Sequence, residues 1–147
     1  MPAVGPRRKA REYALQMLFQ WDITHEDIDR VIATFWDSAD EEPAIRNFAN
    51  LLATGTIENV EAIDRLIERH ADNWRLDRMA GVDRNLLRLA AHEFLHDRET
   101  PKNVVINEAI EIAKRFSSQE APQFINGILD GIRKEVEGQG PESLPAA

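Results

Sequence analysis

From Arg7 to Trp21 the apolar residues Ala10, Ala14, Leu18 and Trp21 recur at steps of three and four, with Tyr13, Met17 and Phe19 beside them. That spacing predicts one amphipathic helix. Thr24-His25-Glu26-Asp27 has the form of a capping box with aspartate in the glutamate position. It is expected to open a second helix through Ile28, Val31, Ile32 and Phe35, and Trp36 to Asp40 reads as a loop. A third helix is expected with Asp40 as its cap and Pro43 in its first turn. It should run unbroken through Ile45, Phe48, Leu52, Gly55, Val60, Ile63, Leu66 and Ile67 to about His70. Gly55 costs such a helix roughly 1 kcal/mol against alanine, so it predicts the close approach of another helix.

A short link around Trp74, Leu76 and Met79 leads to Gly81, and Val82 to Leu95 is strongly helical. Thr100-Pro101 marks another start, with Ile106, Ala109, Ile110, Ala113 and Phe116 on one face. Ser117 to Glu120 punctuates. Phe124, Ile125, Ile128, Leu129 and Ile132 then build a last helix, with Pro122 in its first turn, where the missing N–H matters least. No segment alternates apolar and polar residues with β-branched enrichment, so no strand is expected. The pattern describes an all-α bundle of six or seven helices. It ends in a Gly/Pro-rich tail, 138–147, expected to be disordered.

A chain of 147 residues buries about two-thirds of its unfolded surface, enough for one sizeable core. The absence of cysteine removes disulfides, iron–sulfur clusters and thiolate zinc sites. No apolar run approaches the ~20 residues of a membrane span, and MPAVGPRRKAREYA contains no apolar signal core. A cytoplasmic, single-domain protein with no membrane contact is the expectation. The net charge of −8 disfavours nucleic acid until its distribution is considered. Arg7, Arg8, Lys9 and Arg11 meet no acid in residues 1–11, whereas residues 22–42 hold eight acids against Arg30 alone. Positive charge at a helix N-terminus opposes the macrodipole at about 0.3–1 kcal/mol per residue, a cost that an anionic partner would offset.

One enzyme-like pattern is present. His92-Glu93-Phe94-Leu95-His96 is a literal H-E-x-x-H on a predicted helix, where two histidines could hold zinc and the glutamate could activate a water. No third-ligand motif includes His25 or His70, although Glu108 and Glu111 lie on the next helix. His96 stands at a helix C-terminus, where the macrodipole favours histidine on structural grounds. A zinc-dependent hydrolase is therefore the minor reading, and no metal or cofactor is expected. Phosphate-binding loops, dinucleotide fingerprints and the G-x-S-x-G elbow are all missing.

The run VDRNLLRLAAHEFL, then ETPKNVVINEAIEIAKRF, then PQFINGILDGI, resembles the NusB transcription antitermination family. RRKAREYALQMLFQW resembles that family's opening arginine-rich helix. The resemblance spans about residues 7–135, and INEAIEIAK followed by FINGILD at this spacing is its most specific part. It implies two packed helical subdomains, about 7–72 and 73–137, without enzymatic activity. It also implies a protein partner, the small-subunit ribosomal protein NusE, and a joint ligand, the single-stranded boxA RNA of ribosomal RNA leaders. Together these would act within a complex that helps RNA polymerase resist termination. Monomer and dimer both remain open.

Carried over by position, Arg7, Arg8, Lys9 and Arg11 would clamp phosphates, and Gln16 and Phe19 would continue the RNA surface. Gln119, Glu120 and Phe124 correspond to a second edge. Lys102-Asn103 correspond to a third contact, with the lysine one position earlier than the family pattern has it. In purely structural terms Phe19 and Phe124 would be core aromatics, and Gln119 and Glu120 a helix cap. Asp77, Asp83 and the apolar Leu87 match the surface that docks NusE. His92 stands where the family commonly has tyrosine, which makes the H-E-x-x-H a chance substitution.

Overall fold

The structure is a computed structural model that describes residues 5–72 and 75–138. Trp74 and the tail from Gln139 onward lie outside the described residues, whereas Gly138, expected in that tail, closes the last helix. In chain order the helices are α1 (Pro6–Thr24), α2 (Ile28–Asp37), α3 (Pro43–Glu58) and α4 (Val60–His70). A 3₁₀ turn (Leu76–Arg78) follows, then α5 (Gly81–His96), α6 (Lys102–Phe116) and α7 (Ala121–Gly138). No strand occurs among the described residues.

Helix ends differ from the sequence expectation in three places. Thr24 closes α1 instead of capping α2: its hydroxyl donates to the Gln20 carbonyl, and His25 turns left-handed at φ 60°. Asp27 is the cap of α2, accepting from the Asp29 N–H at 3.0 Å. Trp36 and Asp37 extend that helix, where Trp36 Nε1 donates to Asn50 Oδ1 at 2.8 Å. Glu42 rather than Asp40 precedes α3 and makes no side-chain cap, so the fixed φ of Pro43 is what starts the helix.

The expected long third helix breaks at Asn59 (φ −117°, ψ 18°). The Asn59 N–H turns to the Thr56 carbonyl at 3.3 Å, while its side-chain Nδ2 donates to the Gly55 carbonyl at 3.0 Å. The side chain thus substitutes for the backbone donor that an unbroken helix would have aimed at Gly55.

That break is also where packing changes hands. Ala10, Ala14, Met17 and Leu18 of α1, Ile28 and Val31 of α2, and Ile45, Ala49 and Leu52 of α3 form one buried cluster, which Leu89 of α5 joins. Ile63, Leu66 and Ile67 of α4 belong to the other cluster, with Leu86, Leu87, Ile112, Ile125, Leu129 and Ile132. The change from one cluster to the other falls at Asn59, although Leu15 of α1 belongs with the second cluster. Phe116, expected on the buried face of α6, is exposed, because Ile112 and Ala113 fill the core one turn earlier.

Helix α5 is the shared wall, touching α1, α3, α4, α6 and α7. Gly55 does admit a neighbour: a Cβ there would lie 2.5 Å from His92 Cε1 of α5. Helices α1 and α5 run antiparallel with reversed charge. Near the start of α1, Arg11 meets Glu93 from the later half of α5; near its end, Asp22 meets Arg84 and Arg88 from the first half. Arg88 also reaches Asp64 at 2.8 Å, which ties α4 into the same network.

Candidate nucleic-acid interface

At 100° per residue, four basic residues opening a helix cannot all face one way. Arg8 shares a stripe with Glu12, Gln16, Phe19 and Ile23, and Lys9 flanks it. Arg7 and Arg11 fall on the inner side. Arg11 is 4% exposed, and both its Nε and Nη2 donate to Glu93, at 2.9 and 2.8 Å. It is a structural ion pair rather than a phosphate clamp, since any phosphate contact would strip a buried carboxylate of its partner. Arg7 is exposed at the helix start and lies over the Phe48 ring, 4.6 Å from its centroid.

Arg8 and Lys9 remain accessible, and each holds a carboxylate. Arg8 donates to Glu108 of α6 through Nη2 at 2.5 Å and Nε at 3.1 Å. Lys9 Nζ lies 2.9 Å from Glu41, which also accepts from the Tyr13 hydroxyl at 2.7 Å and the Glu42 N–H at 3.1 Å. These bonds, led by Lys9 and Tyr13, pull the Glu41 carboxyl down to about 2. The anion demanded by the basic helix start is therefore internal in the free protein.

Helix α6 runs beside α1 in the same direction, so that Arg115 reaches Glu12 at 3.1 Å. Arg115 and the exposed Phe116, over whose ring it lies at 5.3 Å, were not expected at this surface. A basic residue in the last turn of a helix reads as a macrodipole complement, so no sequence signal separates it. Beyond them, Ser117 donates to Asp83 at 2.5 Å. A cavity of about 290 Å³ then opens between Met79, Ala80 and Asp83 on one side and Ser118, Glu120 and Phe124 on the other. Phe19 closes this end from α1, its Cε2 3.3 Å from the position of a Cβ on Gly81. Phe19 and Phe124 are half-buried, presenting part of each ring, while Gln16, Gln119 and Glu120 are exposed.

Arg8, Gln16, Phe19, Arg115, Glu120 and Phe124 thus lie along one continuous strip. Lys102 and Asn103, at the start of α6, extend it past the N-terminus of α1, about 20 Å from Arg115 along the helix. The expected protein-docking triad does not stay together. Asp77 is exposed, Asp83 is buried against Ser117, and Leu87 is a fully buried core residue with no surface to offer.

The H-E-x-x-H pattern is closed to catalysis. Glu93 is 2% exposed and held by Arg11, so it cannot take a proton from a water. No group of three or more His, Asp or Glu side chains among the described residues could hold a metal ion. The two imidazoles lie with centroids 4.8 Å apart. Burial, with His96 adding to it, lowers His92 to about 4, and its Nδ1 has no hydrogen-bond partner among the described residues. The pair and Glu93 line one wall of an open cavity of about 510 Å³, whose other walls include Arg7, Phe48, Leu51 and Asp97. No described helix is long and apolar enough to cross a membrane.

A sequence model of the NusB family matches residues 8–134. The transcription antitermination protein NusB of Koribacter versatilis is 52% identical over 136 residues, covering 92% of this chain and 93% of that protein. The Bacillus subtilis protein of the same name is 43% identical over 131 residues, covering 89% and 97%. Among solved structures, T. maritima NusB superposes with a TM-score of 0.81 at 38% identity, covering 90% of this chain and 94% of that one. A chain from the crystal structure of antitermination factors NusB and NusE in complex with dsRNA has a TM-score of 0.81 at 26% identity, covering 88% and 97%.

Proposed function

The chain belongs to the NusB family of transcription antitermination proteins, which are not enzymes, and on that premise we propose that it binds RNA jointly with the ribosomal protein NusE. The observation that carries the reading is the strip itself. Accessible cations at Arg8, Lys9 and Arg115 lead into aromatic edges at Phe116, Phe19 and Phe124 on an otherwise acidic body. Cations hold phosphates and ring faces stack bases, the combination used on unpaired RNA. The related factors were solved with NusE and double-stranded RNA. Three or four cations are few for reading a duplex by its backbone, so single-stranded RNA of the boxA kind is the ligand favoured here.

Gln16, Gln119, Glu120, Lys102 and Asn103 would supply polar contacts along the strip. Asp77 would face NusE, and Asp83 would act through its bond to Ser117. Within a complex on RNA polymerase, such loading would suppress termination, and the site of action would be the cytoplasm.

Fluorescence anisotropy with boxA-type single-stranded RNA and with a duplex of the same sequence, each with and without NusE, tests this. The single strand should bind more tightly, and NusE should tighten it further. With three or four phosphate contacts, log K should fall against log salt with a slope of about −2 to −3. Unchanged binding after Arg8, Lys9 and Arg115 are all replaced by alanine would overturn the assignment.

A further inference from the structure

We propose that Glu108 and Glu41 occupy the places of RNA phosphates in the free protein and that RNA binds by displacing them, which makes these two carboxylates the residues that set affinity and selectivity. The inference rests on the RNA-binding reading above and adds what the cations do before RNA arrives.

Its ground is a division of labour around each carboxylate. Glu108 holds one movable cation, Arg8, whose side chain is 34% exposed, and one fixed cation, Arg11, whose Nη1 lies 3.5 Å away. Glu41 likewise holds the movable Lys9, 44% exposed, and two fixed donors, the Tyr13 hydroxyl and the Glu42 N–H. Tyr13 is fixed because its ring packs edge-on to Phe35 and Trp36 at 5.7 and 5.3 Å. When a phosphate draws Arg8 or Lys9 outward, neither carboxylate is left without a donor. Stripping a carboxylate bare is what makes breaking an ion pair costly, and here that cost is avoided.

The exchange also discriminates. An isolated phosphate, or a strand whose phosphates do not match the spacing of the cations, gains one charge-assisted contact and loses another of similar strength. Only a ligand that engages both cations while stacking bases on the aromatic edges gains overall. Glu12 and Arg115 do not form a third unit of this kind, because among the described residues no fixed side-chain donor holds Glu12 once Arg115 leaves.

Glu108→Gln and Glu41→Gln are to be compared with the unaltered protein by anisotropy of a short labelled boxA-type RNA and of a scrambled strand at low salt. Glu108→Gln should bind both RNAs about two- to tenfold tighter, the range expected from removing a partly exposed competing pair. Glu41→Gln should act in the same direction by less, and the preference for boxA over the scrambled strand should shrink in both. The gain should vanish when Arg8→Ala is added to Glu108→Gln. Binding that is unchanged or weaker in both glutamine variants, with Arg8→Ala still weakening it, overturns the exchange and leaves the RNA reading standing. Absence of RNA binding by the unaltered protein removes both. If Glu108→Gln melts early, Glu41→Gln decides alone, since its side chain lies ahead of α3 and away from the Arg11–Glu93 pair.

Discussion

Arg8 and Arg11 sit three residues apart on one helix, and each is hydrogen-bonded to a carboxylate from the same neighbouring pair of helices. Arg11 is 4% exposed and faces a glutamate that is 2% exposed; Arg8 is a third exposed and faces one that solvent reaches. An inner pair fixes where α1 lies, because either partner alone would be a charge out of water. An outer pair costs little to open and leaves its cation available to a ligand. The histidines four residues apart on α5 repeat the contrast, with His92 pressed against Gly55 and His96 at the surface. Residue type alone does not tell machinery from scaffold.

The sharpest way to break this contrast is Arg11→Ala. Glu93 would be left uncompensated, and urea unfolding should show a loss of about 3–5 kcal/mol. Unaltered stability with lost RNA binding would place Arg11 among the outer residues after all. Next in size is a pH effect. Below pH 6.5 the unfolded chain binds a proton on His92, whereas the folded chain does not until the pH nears 4. The unfolded state then holds more protons, so stability should fall by up to about 3 kcal/mol between pH 6.5 and pH 4. His92→Phe should flatten that arm of a pH series of melting curves, while His96→Phe should leave most of it.

Gly55→Ala should destabilise by about 1–2 kcal/mol, the clash with the His92 ring outweighing the gain in helix propensity. Adding His92→Ala should turn that same substitution into a stabilising one, a coupling that a double-mutant cycle measures. The smallest effect on folding belongs to Arg8→Ala, within about 1 kcal/mol. That variant should nonetheless lower the salt slope of RNA binding by roughly 0.7.

The apolar spacing of α1, α6 and α7 was legible because each presents one buried stripe of long period, and α5 was legible from its run of strong helix formers. The ends were less so. Asn59 breaks α3 from α4 by a side-chain bond to Gly55 that periodicity does not register, and Thr24 serves the helix before it rather than the one after. At the site, the basic opening of α1 was visible, and so was its need for an anion. What the sequence could not reveal is that carboxylates 32 and 100 residues away supply that anion, since their pairing depends on how α3 and α6 fold back. Leu87 illustrates the same limit: on a helix buried nearly all round, position in the motif says nothing about which side faces out.

The sign reversal between α1 and α5 has a mechanical consequence. Arg11 and Asp22 are anchored about 16 Å apart on one rod, the first to an acid and the second to bases. A slide of one turn, about 5.4 Å, would draw Arg11 from Glu93 and Asp22 from Arg84 at the same time, so the two anchors resist it jointly. The register of α1 against α5 is thereby held at both ends, from its basic opening to the turn beyond Phe19.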